Sequence, residues 1–354
     1  MNRRWICNDI WMDMFPFFDR PQLGLKLALL SPRFNALVDK HFDAKIELPI
    51  WNDIKIYKDR VAEVPKLHVF IDYPNSVEFP LPDRPLPDKI RFTRLWIDYI
   101  DHFVLAFLRA NKQIFDKDTA LLLNVWKNND NDIVQLIWNV LVHEIWPFFA
   151  PNICHLDFPD GDDLDNLRRR TSPKILSDLN QLNSINFDYL LPDSIGDFDD
   201  EPNSTTGQML SKWLHTPGKD GQSKRLFFME NKQRDFEWVN TFKEKFLRAT
   251  TSVSYEILFP VHEAPPSIVP FELVNDRTQE KLTMQSENVM IFQWMMKRCP
   301  IGETATVHWG DKNRDDLNIV HIWLNDAHRS CIGPLTPPSA AAEEEAGESS
   351  EKGA

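Results

Sequence analysis

The chain has 354 residues, 42% apolar and 26% charged, with a formal net charge of −13; these values describe a globular chain long enough for one large domain or two to three ordinary ones. An acidic balance with no Lys/Arg-rich block speaks against a nucleic-acid binder, which needs a basic face to neutralise phosphates. Cys7, Cys154, Cys299 and Cys331 lie far apart and form no C-x-x-C pair, so a reducing compartment is expected and a disulfide framework or zinc module is not.

The N-terminus MNRRWICNDIWMDM lacks the apolar core and small-residue cleavage site of a signal peptide. No apolar run approaches the roughly 18 residues of a membrane helix, so cytosol or nucleus is the expected location and no membrane partner is expected. Three short helices are predicted next. Asn8 or Asp9 caps the first, with Ile10, Met14 and Phe17 or Phe18 along one stripe. Asp19-Arg20-Pro21 is a stop-and-restart signal, and Leu23, Leu27 and Leu30 line the second helix. Ser31-Pro32 repeats the device, and Phe34, Leu37, Val38 and Phe42 line the third. So small a trio cannot bury all these faces by itself, and leftover apolar helix surface is what a partner protein covers.

Residues 43–90 mix strand-like pieces with prolines, as in PKLHVFIDY and EFPLPDRPLPDK. From 91 to 261 short strands alternate with longer amphipathic helices. The strands are RFTRLWID, ALLLNVW, NICHLDF, LNSINFD, SKRLFFM and SYEILF, with centres roughly 28–41 residues apart. The helices are HFVLAFLRANKQIF, NDIVQLIWNVLVHEIWPFF, DDLDNLRRR with SPKILSDLNQL, TTGQMLSKWLH and FEWVNTFKEKFLRA. The fold class is therefore α/β. The spacing suits an irregular, leucine-rich-repeat-like strand–helix array, and the same alternation fits an ordinary parallel sheet.

Residues 262–328 read as a strand-rich C-terminal cap: two strands around the Asn-Asp-Arg-Thr turn of VPFELVNDRTQEKLTMQ, then ETATVHW and NIVHIWL. Residues 329–354 read as a disordered acidic tail, too poor in apolar residues to order itself.

Few motifs carry chemistry. His143-Glu144 lacks the second histidine that an H-E-x-x-H zinc site needs one turn on. In DFPDGDDLDN, Gly161 comes too early and no Glu closes a calcium loop, so Asp160-Gly161 reads as a turn with Asp162 or Asp163 capping the next helix. No Gly-rich phosphate loop or nucleophile elbow occurs, so no catalytic residue, metal or cofactor is assigned. Asn203-Ser204-Thr205 is a formal sequon on a chain without a signal peptide, and reads as part of an exposed connection. Alternation along the predicted strands puts Arg94, Trp96 and Asp98, then Asn124 and Trp126, then His155 and Asp157, then Asn186 and Asp188 away from the core. Trp96, Asn124, Trp126, His155, Asp157 and Asn186 are the candidate protein-binding set, since Trp among small polar groups anchors interfaces. Burial of those tryptophans by a neighbouring segment is the other reading.

The N-terminal stretch resembles an F-box, the adaptor-binding module of Skp–cullin–F-box ubiquitin ligases. The residues that carry the likeness are Asp9-Ile10, Met14-Phe15, Phe18, Leu23, and Leu30-Ser31-Pro32-Arg33-Phe34 followed by Leu37-Val38. Ile6-Cys7 stands where that family has Leu-Pro, a departure expected to weaken adaptor docking. Further stretches, including RFTRLWIDYID, RTSPKIL, KWLHTPGKDGQSKRLF, VPFELVNDRT and MMKRCPIGE, resemble an expanded family of nematode F-box proteins up to about Gly310. The resemblance implies an F-box over residues 6–42 that docks a Skp-type adaptor and cullin core through Ile6, Ile10, Met14, Phe18, Leu23, Leu27, Leu30 and Phe34. It also implies a leucine-rich-repeat-like or F-box-associated region that holds a protein substrate. An F-box scaffold that joins no ligase is the alternative.

Overall fold

Apolar residues at helical spacing give way to apolar residues at alternate positions along the chain, and the computed structural model follows that change. It describes residues 6–43, 50–59, 61–72, 75–86, 91–115, 118–125, 131–159, 161–187, 205–228, 237–260, 269–288, 293–303, 318–324 and 331–336. The chain divides into two units, Met1–Ile114 with Leu324–Ala354, and Phe115–Trp323.

The first unit opens with α1 (Asn8–Met14), which tightens into a 3-10 turn at Phe15–Phe17. A second rod runs through α2 (Arg20–Gln22), a π turn at Leu23–Leu27 and α3 (Ala28–Leu30), and α4 (Pro32–Asp43) is the third. Three rods are what capping and spacing predicted, but two caps differ: Asp19, expected to cap the second rod, holds the N-cap position of α2 without a side-chain bond. Cys7 holds the N-cap position of α1 without a side-chain bond, while Asn8 accepts from Arg33 at 2.7 and 3.0 Å. Ser31 does cap α4, its hydroxyl accepting from the Phe34 amide at 3.3 Å. The buried side of the trio is formed by Phe15, Leu23, Leu25, Ala28, Leu37, Val38 and Phe42.

β1 (Ile50–Lys58), β2 (Pro65–Asp72), β3 (Asn75–Pro80) and β4 (Arg91–Ile97) follow, in the order β4-β1-β2-β3. β1–β2 and β2–β3 are antiparallel, and β1–β4 is parallel. Lys26 over the Phe79 ring, 5.2 Å from its centroid, joins the second rod to β3. α5 (His102–Ala110) is capped by Asp101, which accepts from the Val104 amide at 2.9 Å. Residues 331–336 correct the expected limit of the tail. Cys331 is buried, and Ile100 exchanges backbone bonds of 2.9 and 2.8 Å with Cys331 and Gly333. At Gly333 any Cβ would strike the Tyr99 ring, so glycine is what allows this close approach.

The second unit repeats strand and helix. It runs through β5 (Thr119–Val125), α6 (Asn131–Val140), a π turn at Leu141–Ile145, α7 (Trp146–Phe149), β6 (Ile153–Phe158), α8 (Gly161–Arg170) and α9 (Ile175–Asp178). It continues with β7 (Ser184–Phe187), α10 (Thr206–His215), β8 (Lys224–Phe228), α11 (Glu237–Arg248) and β9 (Tyr255–Pro260). β5 to β9 are parallel and neighbour one another in chain order. Crossovers between parallel neighbours are right-handed almost without exception, so a sheet that grows in one direction gathers its connecting helices on one face. On that face Leu121 and Leu123, Leu156 and Phe158, Ile185 and Phe187, Leu226 and Phe228, and Ile257 and Phe259 are each at most 2% exposed. Phenylalanine recurs at one register: Phe158 stacks on Phe187 at 5.7 Å and Phe228 on Phe259 at 5.5 Å, with Trp238 of α11 edge-on to the last two. Each such ring contributes about 1.5–3 kcal/mol through burial.

Other details differ from expectation. Asp162 and Asp163 lie in the first turn of α8; Asp163 is buried and also accepts from the Val125 amide at 3.4 Å. Thr205 caps α10 in a full capping box with Gln208. Helical structure from Asp132 to Asn152 runs for 21 residues and is long and apolar enough to cross a membrane by length and composition, unlike the sequence expectation. Its Ile137, Trp138, Leu141, Ile145 and Phe149 are buried within the protein.

Beyond β9 the sheet turns antiparallel through β12 (Gln293–Pro300), β11 (Glu280–Asn288) and β10 (Phe271–Asn275). The Asn275 carboxamide accepts from the Arg277 amide at 3.0 Å and donates to the Phe246 carbonyl at 2.6 Å, fixing the predicted turn against α11. Two corrections concern this cap. β12 was not among the expected strands, and β13 (Asn318–Leu324) takes its place beside β5, at the other end of the row from β10. ETATVHW lies largely outside the described residues.

Candidate functional site

α1 is the exceptional helix. Apolar positions 10, 14 and 17 recur at four and three, which puts them on one side, yet no residue of α1 is buried. Ile10 is 51% exposed, Met14 39% and Phe17 88%, with Ile6 and Leu30 exposed beside them in the chain order of the first two rods. The arrangement is held from behind. Arg33 donates to the Ile6 carbonyl at 2.7 Å and to Asn8, tying α4 to the start of α1. Trp11 meets Phe34 edge-on at 4.9 Å, and Phe15 meets His41 at 5.5 Å. The rod is therefore oriented while its apolar side stays open.

Of the eight residues assigned to adaptor docking, Ile6, Ile10, Met14 and Leu30 are exposed, and Phe18, Leu27 and Phe34 are partly exposed. Leu23 is corrected: at 1% exposure it belongs to the core of the trio. The π turn at Leu23–Leu27 sets this, since Leu23, Gly24 and Leu25 are all buried there. Phe17 is the added member. The 3-10 turn rotates Phe15 inward and leaves Phe17 outside, a change that simple helical spacing does not resolve.

The second assigned set lies on strands. Trp96 is partly exposed on β4 of the first unit, flanked by Arg94–Asp53 at 2.9 Å and Lys55–Asp98 at 2.5 Å. In the second unit Asn124, His155, Asp157 and Asn186 all stand on the face opposite the buried phenylalanines and are partly exposed. Asn186 donates to Asp157 at 3.1 Å, so these two act together. Trp126 and Asp188 lie outside the described residues. His155 belongs to a second row, paired with Ser184, that runs on past the assigned residues. Arg225 of β8, Glu256 of β9 and Lys297 of β12 follow in register. Glu256 binds Lys297 at 3.2 Å and Arg225 at 3.4 Å. Burial opposes the Lys297 charge, but Glu256 and Glu303 together hold its ammonium above the usual lysine range. The polar row thus ends in a paired, buried charge cluster that fixes geometry.

A third feature lies on the helix side of the second unit. A cavity of about 500 Å³ opens among α9, the C-terminal end of α10 and β8, within the size range of small-molecule sites. Leu176, Leu179, Leu182 and Trp213 are its buried walls. Ser177, Asn180 and Thr216 form an exposed polar rim. Lys224 also lines it and is only 5% exposed. Its ammonium donates to the Trp213 carbonyl and lies 5.1 Å from the centroid of that indole. Burial lowers the Lys224 pKa from 10.5 to about 8. The sequence did hold a signal: in KRLFF the buried positions are 224, 226 and 228, so a lysine sits where the pattern demands an apolar residue.

Among the described residues no group of three or more His, Cys, Asp or Glu is placed to hold a metal ion. No family model matches the chain, and no curated protein or solved structure matches it either.

Proposed function

We propose that this chain is a substrate-recognition subunit of a Skp–cullin–F-box ubiquitin ligase, in the cytosol or nucleus, without a catalytic residue of its own. Residues 6–42 dock on a Skp-type adaptor through Ile6, Ile10, Met14, Phe17 and Leu30. The outward row of β5 to β8, with Asn124, His155, Asp157 and Asn186, holds the target protein. The chain then contributes proximity and orientation, which convert a bimolecular transfer of ubiquitin into an effectively intramolecular one.

The observation that carries this reading is α1: a helix with Ile10 and Met14 on one side and no residue buried. Such surface is stable in water only at a cost, and docking on a partner removes it. The test is a pull-down and calorimetric titration of the full chain with a purified Skp-type adaptor. Binding by the wild type, reduced at least tenfold by Phe17→Asp, is the expected result. Absence of binding by the wild type, or equal binding by Phe17→Asp, sinks the proposal.

One observation favours the scaffold alternative, in which the helical trio binds other proteins and joins no ligase. Cys7, at the N-cap of α1, has φ −68° and makes no side-chain cap bond. That φ suits proline, the residue the resemblance expects there. A large gain in adaptor affinity for Cys7→Pro would mark the natural chain as a poor ligase subunit and support the scaffold reading.

A further inference from the structure

Lys224 is the one charged residue on the inward face of strands β5 to β8, and its surroundings do not neutralise it. Among the described residues no carboxylate forms an ion pair with it. Its ammonium donates to the Trp213 carbonyl and lies over the indole of that residue, and the His215 imidazole nearby brings no negative charge. A buried ammonium without a counter-ion is costly, and the cost is borne at the wall of a cavity rather than in a packed core. Three N–H donors belong to an ammonium, and the carbonyl uses one. Two remain, beside buried leucine side chains and below a neutral polar rim. A second cation, Lys219, also lines the cavity, and no acidic residue does among the described residues.

We propose that this cavity binds a carboxylate carried on a leucine-sized apolar group, with Lys224 as the charge-pairing residue and Leu176, Leu179, Leu182 and Trp213 as the apolar walls. The carboxylate completes the ammonium's hydrogen bonds and supplies its missing counter-charge, while the apolar group displaces water from the leucine walls. Both a free apolar acid and the C-terminal residue of a polypeptide present this chemistry. The site is independent of adaptor docking, because every residue it uses lies between 176 and 224.

The experiment is calorimetric titration of the full chain, without adaptor, using four probes. These are N-acetyl-L-leucine, its primary amide, a short uncharged peptide ending in leucine with a free carboxylate, and the same peptide amidated. Binding of an acid at least tenfold tighter than its amide is expected, with the difference lost in Lys224→Met and retained in Lys224→Arg. Tighter binding of the peptide acid than of N-acetyl-L-leucine identifies a polypeptide C-terminus as the source, and equal binding a free acid. The wild-type acid–amide comparison decides the matter even should Lys224→Met fail to fold. Absence of binding by both acids, or equal binding of acid and amide, overturns the proposal and leaves Lys224 a cation at the C-terminal end of α10.

Discussion

The N-terminal helical trio and the strand–helix array of the second unit use similar side chains to opposite ends. In the array, inward leucines, isoleucines and phenylalanines of five consecutive strands are at most 2% exposed. In the trio, Ile10, Met14 and Phe17 share one side of a rod, and all three are exposed. Composition does not separate the two regions. What separates them is whether a neighbouring element exists to receive the apolar face: every array strand has a strand beside it and helices over it, whereas α1 has covering only on the Trp11 side. A core that is complete within the chain makes stability. One that is incomplete leaves apolar surface in water.

That contrast can be broken most forcefully inside the array and its cap. Glu280 and Arg298 form a fully buried pair at 2.6 Å, with a further guanidinium bond to the Thr251 carbonyl. Glu280→Ala leaves an uncompensated buried cation and should cost about 3–5 kcal/mol, read as a shift in the urea midpoint. Phe228→Ala removes a ring packed against Phe259 and Trp238 and should cost about 3–5 kcal/mol by the same measurement. A loss below 1 kcal/mol in either would show that the array is looser than its burial indicates.

Lys224 tests the array's one inward exception. Its folded pKa of about 8 lies below the ordinary 10.5, so between these values the unfolded chain holds more protons than the folded one. Stability from this group therefore rises with pH across that window, by up to about 3 kcal/mol. Denaturation at pH 8 and pH 10 should show that rise in the wild type relative to Lys224→Met; parallel behaviour of the two proteins would place Lys224 in water. Smaller effects belong to the trio. Ser31→Ala removes the α4 cap and should cost about 1 kcal/mol in thermal unfolding. Phe17→Ser should change stability by no more than about 0.5 kcal/mol. A larger loss there would mean that Phe17 is packed, contrary to the contrast drawn above.

Much of this fold is legible from local pattern. All six strands expected between residues 91 and 261 form, because alternation such as Leu121, Leu123 and Val125 states both the extended conformation and the buried side. Stop-and-restart signals at Asp19-Arg20-Pro21 and Ser31-Pro32 likewise place the helical breaks. Less legible were the features that depend on which element meets which. Leu23 looks like any outward leucine until a π turn carries it inward. β13 reads as one more cap strand, but pairing partners are chosen across nearly 200 residues, and the order puts it beside β5. The residues 331–336 look like tail until Gly333 is found pressed on Tyr99.

By itself, then, the sequence determined which segments are helices or strands and which side of each is apolar, since those follow from spacing and caps acting within about ten residues. Tertiary structure alone decided which apolar sides are covered, which stay open on α1, and that a cavity opens beside Lys224. Burial is a property of neighbours distant in the chain, and no local pattern contains it.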